Sequence, residues 1–146
     1  MIVPYLTPPR AYYLLLVIFT LSGLSKFGPT DPLIKMFPRL PAWFWRAGGA
    51  WELVLVAALR FQYTDIALVM AYMFLGGVFG ACGLLKDLTN KTMVEKSYGL
   101  MLIPGVFTLL SVLTIAQDKG QSLLLAIPTT LTGTLIAVML GKGKKL

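Results

Sequence analysis

Glu52 is the residue of this chain best placed to do chemistry. It lies in the run Trp45-Arg46-Ala47-Gly48-Gly49-Ala50-Trp51-Glu52-Leu53. If Trp43, Phe44 and Trp45 mark a membrane interface, Glu52 sits about 10 Å inside the apolar layer, at about 1.5 Å of helix rise per residue. An unpaired charge at that depth costs about 3 kcal/mol or more, so Glu52 needs either a proton or a cation. Two cations are available. Lys26 ends the stretch Ser22-Gly23-Leu24-Ser25-Lys26-Phe27, on the same side of the membrane, and its long side chain can bend inward. Arg46, nearer the surface on the helix of Glu52 itself, is the alternative. Lys26 is the expected partner. The pair has three readings: an internal ion pair that fixes the first two helices, a proton-transfer site, or a quinone head-group site with Trp43, Trp45 and Trp51 lining the pocket. Aromatic residues at a helix entrance also serve as plain interface anchors.

The rest of the inventory narrows the chemistry. The chain has no histidine, and with it go the commonest general base, haem ligand and imidazole metal ligand. Cys82 is the only cysteine, so an internal disulfide, a CxxC redox pair and an iron–sulfur site held by this chain alone are excluded. Its neighbours Phe79, Gly80, Ala81, Gly83 and Leu84 make it a small packing residue. No catalytic residue and no metal site are expected, nor any resident cofactor beyond a quinone or a lipid held at a helix interface.

Such a site has to be positioned by helices in a membrane. The 146 residues are 57% hydrophobic and 13% charged, with a mean hydropathy of +0.78, whereas soluble domains carry about 25% charged residues. A bilayer core about 30 Å thick needs roughly 17 to 25 apolar residues per helix. Five stretches qualify, at about residues 11–28, 42–60, 65–85, 97–116 and 121–141, and the last two form a tight hairpin. The expected fold is an all-α polytopic transmembrane bundle, one membrane domain over residues 1–146 with no soluble domain attached. The opening segment lacks a compact basic start and a small-x-small cleavage site before Lys26, and reads as a retained helix.

Basic residues set the orientation. Arg10, Arg60 and Lys119 fall on one side, and the remaining ten of the 13, namely Lys26, Lys35, Arg39, Arg46, Lys86, Lys91, Lys96, Lys142, Lys144 and Lys145, fall on the other. The N-terminus is expected outside and the C-terminus in the cytoplasm, matrix or stroma. The net charge of +7 is then accounted for by loops that meet anionic lipids, and no nucleic acid is implied. The membrane is an organelle inner membrane or a bacterial plasma membrane. The endoplasmic reticulum is the alternative, through the dilysine-like tail Lys142-Gly143-Lys144-Lys145-Leu146.

Helices in lipid associate by close backbone approach at small residues. Gly76 and Gly80 form a GxxxG pair with Gly83 nearly on the same face, and Gly133, Ala137 and Gly141 repeat the spacing in the last span. Ordinary bundle packing and docking onto a partner subunit both use such faces. Pro104 and Pro128 fall inside apolar runs and are expected to bend their helices, with Thr129, Thr130 and Thr132 close enough to satisfy carbonyls near Pro128.

The segments Ser22-Gly23-Leu24-Ser25-Lys26-Phe27 and Gly49-Ala50-Trp51-Glu52-Leu53 resemble the DoxX-like membrane family. Its first helix commonly ends in an SGxxKF-type motif, and its second carries a glycine followed closely by an acidic residue. The resemblance covers roughly the first three spans. It implies a four-helix core, to which the fifth helix here is an addition, and a role for Lys26 and Glu52. Some relatives accompany quinone-linked oxidoreductases and others are membrane chaperones. Two functions are therefore expected. The first is a non-catalytic accessory or assembly subunit, partnered by other membrane subunits in a larger complex, with a bioenergetic complex as one setting. The second is the membrane subunit of a quinone-linked oxidoreductase whose redox centres lie on another chain. A transporter ranks last, since spans three to five offer only Thr, Ser and backbone groups to a polar pathway.

Overall fold

Backbone chemistry sets the helix ends. In the computed structural model, which describes residues 5–28, 40–80 and 91–142, the first helix, α1 (Pro8–Ser25), starts on two prolines. The first turn of a helix has no use for their missing N–H groups. Helix α2 (Ala42–Arg60) follows the extended Pro41, and α3 runs over Thr64–Phe79. Helix α4 is the longest, Lys91–Asp118, and a 3-10 turn over Leu123–Leu125 leads into α5 (Ala126–Lys142). The described residues form helices and turns without strands.

Two helix ends are built alike. After α2, Tyr63 N–H donates to the Ala58 carbonyl at 2.8 Å and Gln62 N–H to Leu59 at 3.3 Å. After α4, Gln121 N–H donates to Ala116 at 2.9 Å and Gly120 N–H to Gln117 at 3.3 Å. Both are Schellman caps, which need a left-handed residue at their centre. Gly120 takes φ +69° without cost, while Gln62 takes φ 67° against the steric preference of a side-chain-bearing residue.

The prolines act differently from one another. Pro104 lies inside α4, where Thr108 Oγ1 donates to its carbonyl at 2.7 Å. Pro128 is the third residue of α5. A first-turn N–H has no carbonyl to meet within the helix, so the bend expected there gives way to a simple helix start.

Helix α1 packs on α2 and α4, α2 on α3, and α3 on α4, closing a ring of four; α5 lies along α3. Helices α1 and α2 are antiparallel, since Tyr12 Oη donates to the Leu59 carbonyl at 2.9 Å while Ser22 meets Glu52. Helices α3 and α5 are parallel, with Gly133 against Met73 and Gly80 against Ala137. That seam is possible only through glycine. A β-carbon on Gly76 would collide with the Thr130 carbonyl, and one on Gly133 with that of Met73. Thr134 Oγ1 bridges the seam by donating to Gly76 O at 2.9 Å.

The apolar core occupies one end of the ring. It is made by Ala11, Leu15 and Phe19 of α1, Leu55 and Leu59 of α2, Ala67, Leu68, Met70, Ala71 and Tyr72 of α3, and Val112, Ile115 and Ala116 of α4. The surface is also apolar: Val17, Leu21, Val54, Ile103, Val106, Leu131, Leu135 and Met139 are all exposed. The stretch Leu123–Gly141 is long and apolar enough to cross a membrane, with only 11% of it buried. Among the described residues it is the single helix to meet that test in full; Thr64–Val78 and Ile103–Asp118 are shorter apolar stretches.

Candidate functional site: a buried lysine–glutamate pair on the wall of a cleft

Glycine spacing brings the charged pair together. Gly49 stands one turn before Glu52 on α2, and a β-carbon there would lie 2.9 Å from both the Gly23 carbonyl and Lys26 Cβ. The absent side chain lets the end of α1 close on α2. Lys26, the residue after α1, is thereby laid against Glu52, and both are buried, at 7% and 0% exposure.

Lys26 Nζ donates to Glu52 Oε1 at 2.7 Å, a short charge-assisted contact. Ser22 Oγ donates to the same oxygen at 2.8 Å and accepts from Lys26 Nζ at 3.1 Å. The Nζ also stands 4.8 Å from the centroid of the Phe74 ring, within cation–π range. The other carboxylate oxygen, Glu52 Oε2, is buried and has no partner among the described residues. Removing one member of such a pair strands the other charge, at a cost of about 3–5 kcal/mol.

The pair forms part of the wall of a cleft of about 640 Å³ to which every helix contributes: Ser22 of α1 and the adjoining Lys26, Trp43, Trp45, Trp51 and Glu52 of α2, Phe74 and Gly77 of α3, Gly105 and Thr108 of α4, and Gly133 and Ala137 of α5. Along each ring helix the core residues lie toward one end and the cleft residues toward the other, and the two sets adjoin at Ile18 and Phe19 on α1 and at Tyr72 to Phe74 on α3. A volume of this size lies within the range of small-molecule sites. Its polar atoms are mostly committed inside the protein. Trp51 Nε1 donates to the Met70 carbonyl at 3.0 Å, and Ser25 Oγ to Ser22 O at 2.7 Å.

Of the residues singled out from sequence, Lys26, Glu52 and the three tryptophans meet at this cleft. Arg46 is exposed and takes no part in the ion pair, whose cation is Lys26. Gly76, Gly80, Gly133 and Ala137 all lie on the α3–α5 seam, with Gly76 against Thr130, Gly80 against Ala137 and Gly133 against Met73. Gly83 and Cys82 lie outside the described residues, as does most of the dilysine-like tail. Sequence reasoning missed Phe74, Gly105 and Thr108. Nothing local marks them, since only the ring closure of α3 and α4 brings them to the pair. Comparison of the chain with models of protein families, with curated proteins and with solved structures finds no match.

Proposed function

We propose that this chain is a polytopic membrane protein, a four-helix DoxX-like core with one added helix, that holds an amphiphilic molecule inside the bilayer without transforming it. The cleft carries this reading: an apolar recess of about 640 Å³ with one buried ion pair on its wall has the composition of a site for a molecule with a polar head and an apolar body. Five crossings are supported by the inverted surface, on which Leu131, Leu135 and Met139 are exposed while Glu52 and Lys26 are buried. They are supported too by helix length, since the 18 residues of α1 span roughly 27 Å against a hydrocarbon core of about 30 Å. The test is gentle detergent purification followed by solvent extraction and mass spectrometry. A stoichiometric lipid or quinone is expected, and it should be lost in Gly105→Leu, where an added side chain meets open space in the cleft. An empty native protein, or a Gly105→Leu variant that keeps its passenger, would overturn the reading.

The setting in which it acts is that of an accessory or assembly subunit of a larger membrane complex, a bioenergetic one where the passenger is a quinone. The exposed apolar ridge of α5 supports this, as it offers a second subunit a face to cover. Blue-native electrophoresis with mass spectrometry of the co-migrating chains tests it, and migration of the chain alone would remove it.

A further inference from the structure

We infer that the chain carries a second lipid site, at the membrane surface where α3 begins, and that its occupant is a zwitterionic phospholipid with a primary-amine head, whose phosphate is taken by Lys119 and whose ammonium by Asp65. The inference rests on the membrane placement proposed above and is independent of the cleft-binding reading.

Two turns build the head of this site. Asp65 stands in the first turn of α3, and Lys119 directly follows α4. Gln121 Nε2 donates to the Asp65 carbonyl at 3.4 Å and so ties the turn after α4 to the start of α3. Both charged residues line one recess of about 530 Å³, and both are exposed. They form no ion pair with each other; among the described residues that contact belongs to Lys26 and Glu52. A cation and an anion thus stand in one lining with their charges left for a ligand. A phosphate joined to an ammonium satisfies both, whereas a purely anionic head is drawn by Lys119 and repelled by Asp65.

The remainder of the recess is apolar. Ile66, Val69, Met70 and Met73 are spaced i, i+3, i+4 and i+7, which makes them one stripe down α3, and Leu125 of the 3-10 turn joins them in the lining. Trp51 of α2 is held to this stripe by its Nε1, which donates to the Met70 carbonyl at 3.0 Å. Trp51 and Met73 also line the cleft, so they stand between the two recesses. From Asp65 to Met73 the stripe descends about 12 Å, at about 1.5 Å per residue. One leaflet of a core about 30 Å thick is about 15 Å deep. Ile66 and Leu125 are 57% and 43% exposed, apolar surface that an acyl chain would cover. Charges at the membrane surface above such a stripe match a phospholipid and not a small soluble zwitterion. The amine sets the head group: a primary ammonium has three N–H donors for the Asp65 carboxylate, and the quaternary nitrogen of choline has none.

The experiment uses the purified full chain in detergent, titrated in native mass spectrometry with three dioleoyl lipids that differ only in the head: phosphatidylethanolamine, phosphatidylcholine and phosphatidylglycerol. The ethanolamine lipid should bind about three- to fivefold more tightly than the choline lipid, the span of an exposed charged pair, and more tightly than the glycerol lipid. Asp65→Asn keeps the backbone carbonyl that Gln121 uses and should abolish the ethanolamine preference; Lys119→Gln should weaken binding of the ethanolamine and choline lipids alike. Equal binding of those two lipids, a preference that survives Asp65→Asn, tightest binding of the glycerol lipid, or binding of none would each overturn the site. Gly105→Leu should empty the cleft and leave the ethanolamine preference intact. A preference lost in Gly105→Leu would put the lipid in the cleft, overturning the second site while the cleft-binding reading stands. Should a variant fail to fold, the comparison of the three heads on the native chain decides by itself.

Discussion

Lys26 Nζ lies 2.7 Å from Glu52 Oε1, and the two residues reach each other across α1 and α2 because Gly49, one turn before Glu52, has no side chain to hold the helices apart. The contact ties sequence to site in one step.

Its energetics are testable by a double-mutant cycle. Glu52→Ala and Lys26→Ala should each destabilise the chain by about 3–5 kcal/mol, because each leaves a buried charge without its partner. Replacing both at once, as Lys26→Met with Glu52→Leu, should cost far less than the sum. Thermal unfolding in detergent, followed by circular dichroism, reads the cycle. Additive losses would show that the two charges do not depend on each other.

The glycines divide into two sets with opposite expected behaviour. Gly76→Ala and Gly133→Ala force a β-carbon into the backbone of the facing helix and should each cost about 3 kcal/mol or more, through overpacking of the α3–α5 seam. Gly48→Ala and Gly105→Ala add a methyl group to open space and should be neutral or stabilising by up to about 1 kcal/mol, since alanine is the better helix former. The midpoint of thermal unfolding for the four variants checks this, and a uniform response would sink the division.

At the two Schellman caps the expected signs are reversed by the residue already in place. Gln62→Gly relieves a side chain held at φ 67° and should stabilise by about 1 kcal/mol, while Gly120→Ala imposes the same strain at φ +69° and should destabilise by about 1 kcal/mol. The pair of variants is best compared in one denaturation series, where shifts of the same sign would contradict the argument.

The proposed five crossings would place the two Schellman turns on one side of the membrane and the end of α5 on the other. In a Cys82→Ala background, Gln62→Cys and Gly120→Cys should react with an impermeant maleimide added outside intact cells, and Lys142→Cys only after permeabilisation. Labelling of Gln62→Cys and Gly120→Cys from opposite sides would rule the topology out.

Sequence made the helices legible where turn chemistry and apolar runs coincide. A helix, Ala42–Arg60, covers the stretch expected at 42–60, while the first helix begins earlier and ends earlier than residues 11–28, because its prolines start it and Gly23 to Lys26 close it. The expected 97–116 span is the apolar part of a longer helix, Lys91–Asp118, since helix formation does not stop where polarity begins. Lys26 and Glu52 were readable as a pair from helix-hairpin geometry and the cost of a lone charge. Pro128 was misread as an interior proline, because the apolar run continues through the 3-10 turn that precedes α5. The cleft was not readable at all. Its far wall, Gly105 and Thr108, is placed by ring closure, which no local pattern encodes.

The separation of core and cleft along the helices has a consequence for how this chain can vary. Substitutions more than about 7–10 Å apart, without shared partners, act independently. The residues that hold the ring closed, Leu15, Leu55, Leu68 and Val112 among them, belong to a different stretch of each helix from those that face the recess. Trp43 or Ile136 can therefore be exchanged to suit a new passenger while the knot that keeps the helices in register stays unchanged, whereas Phe74, whose ring centroid lies 5.3 Å from that of Phe19, couples the recess to the core.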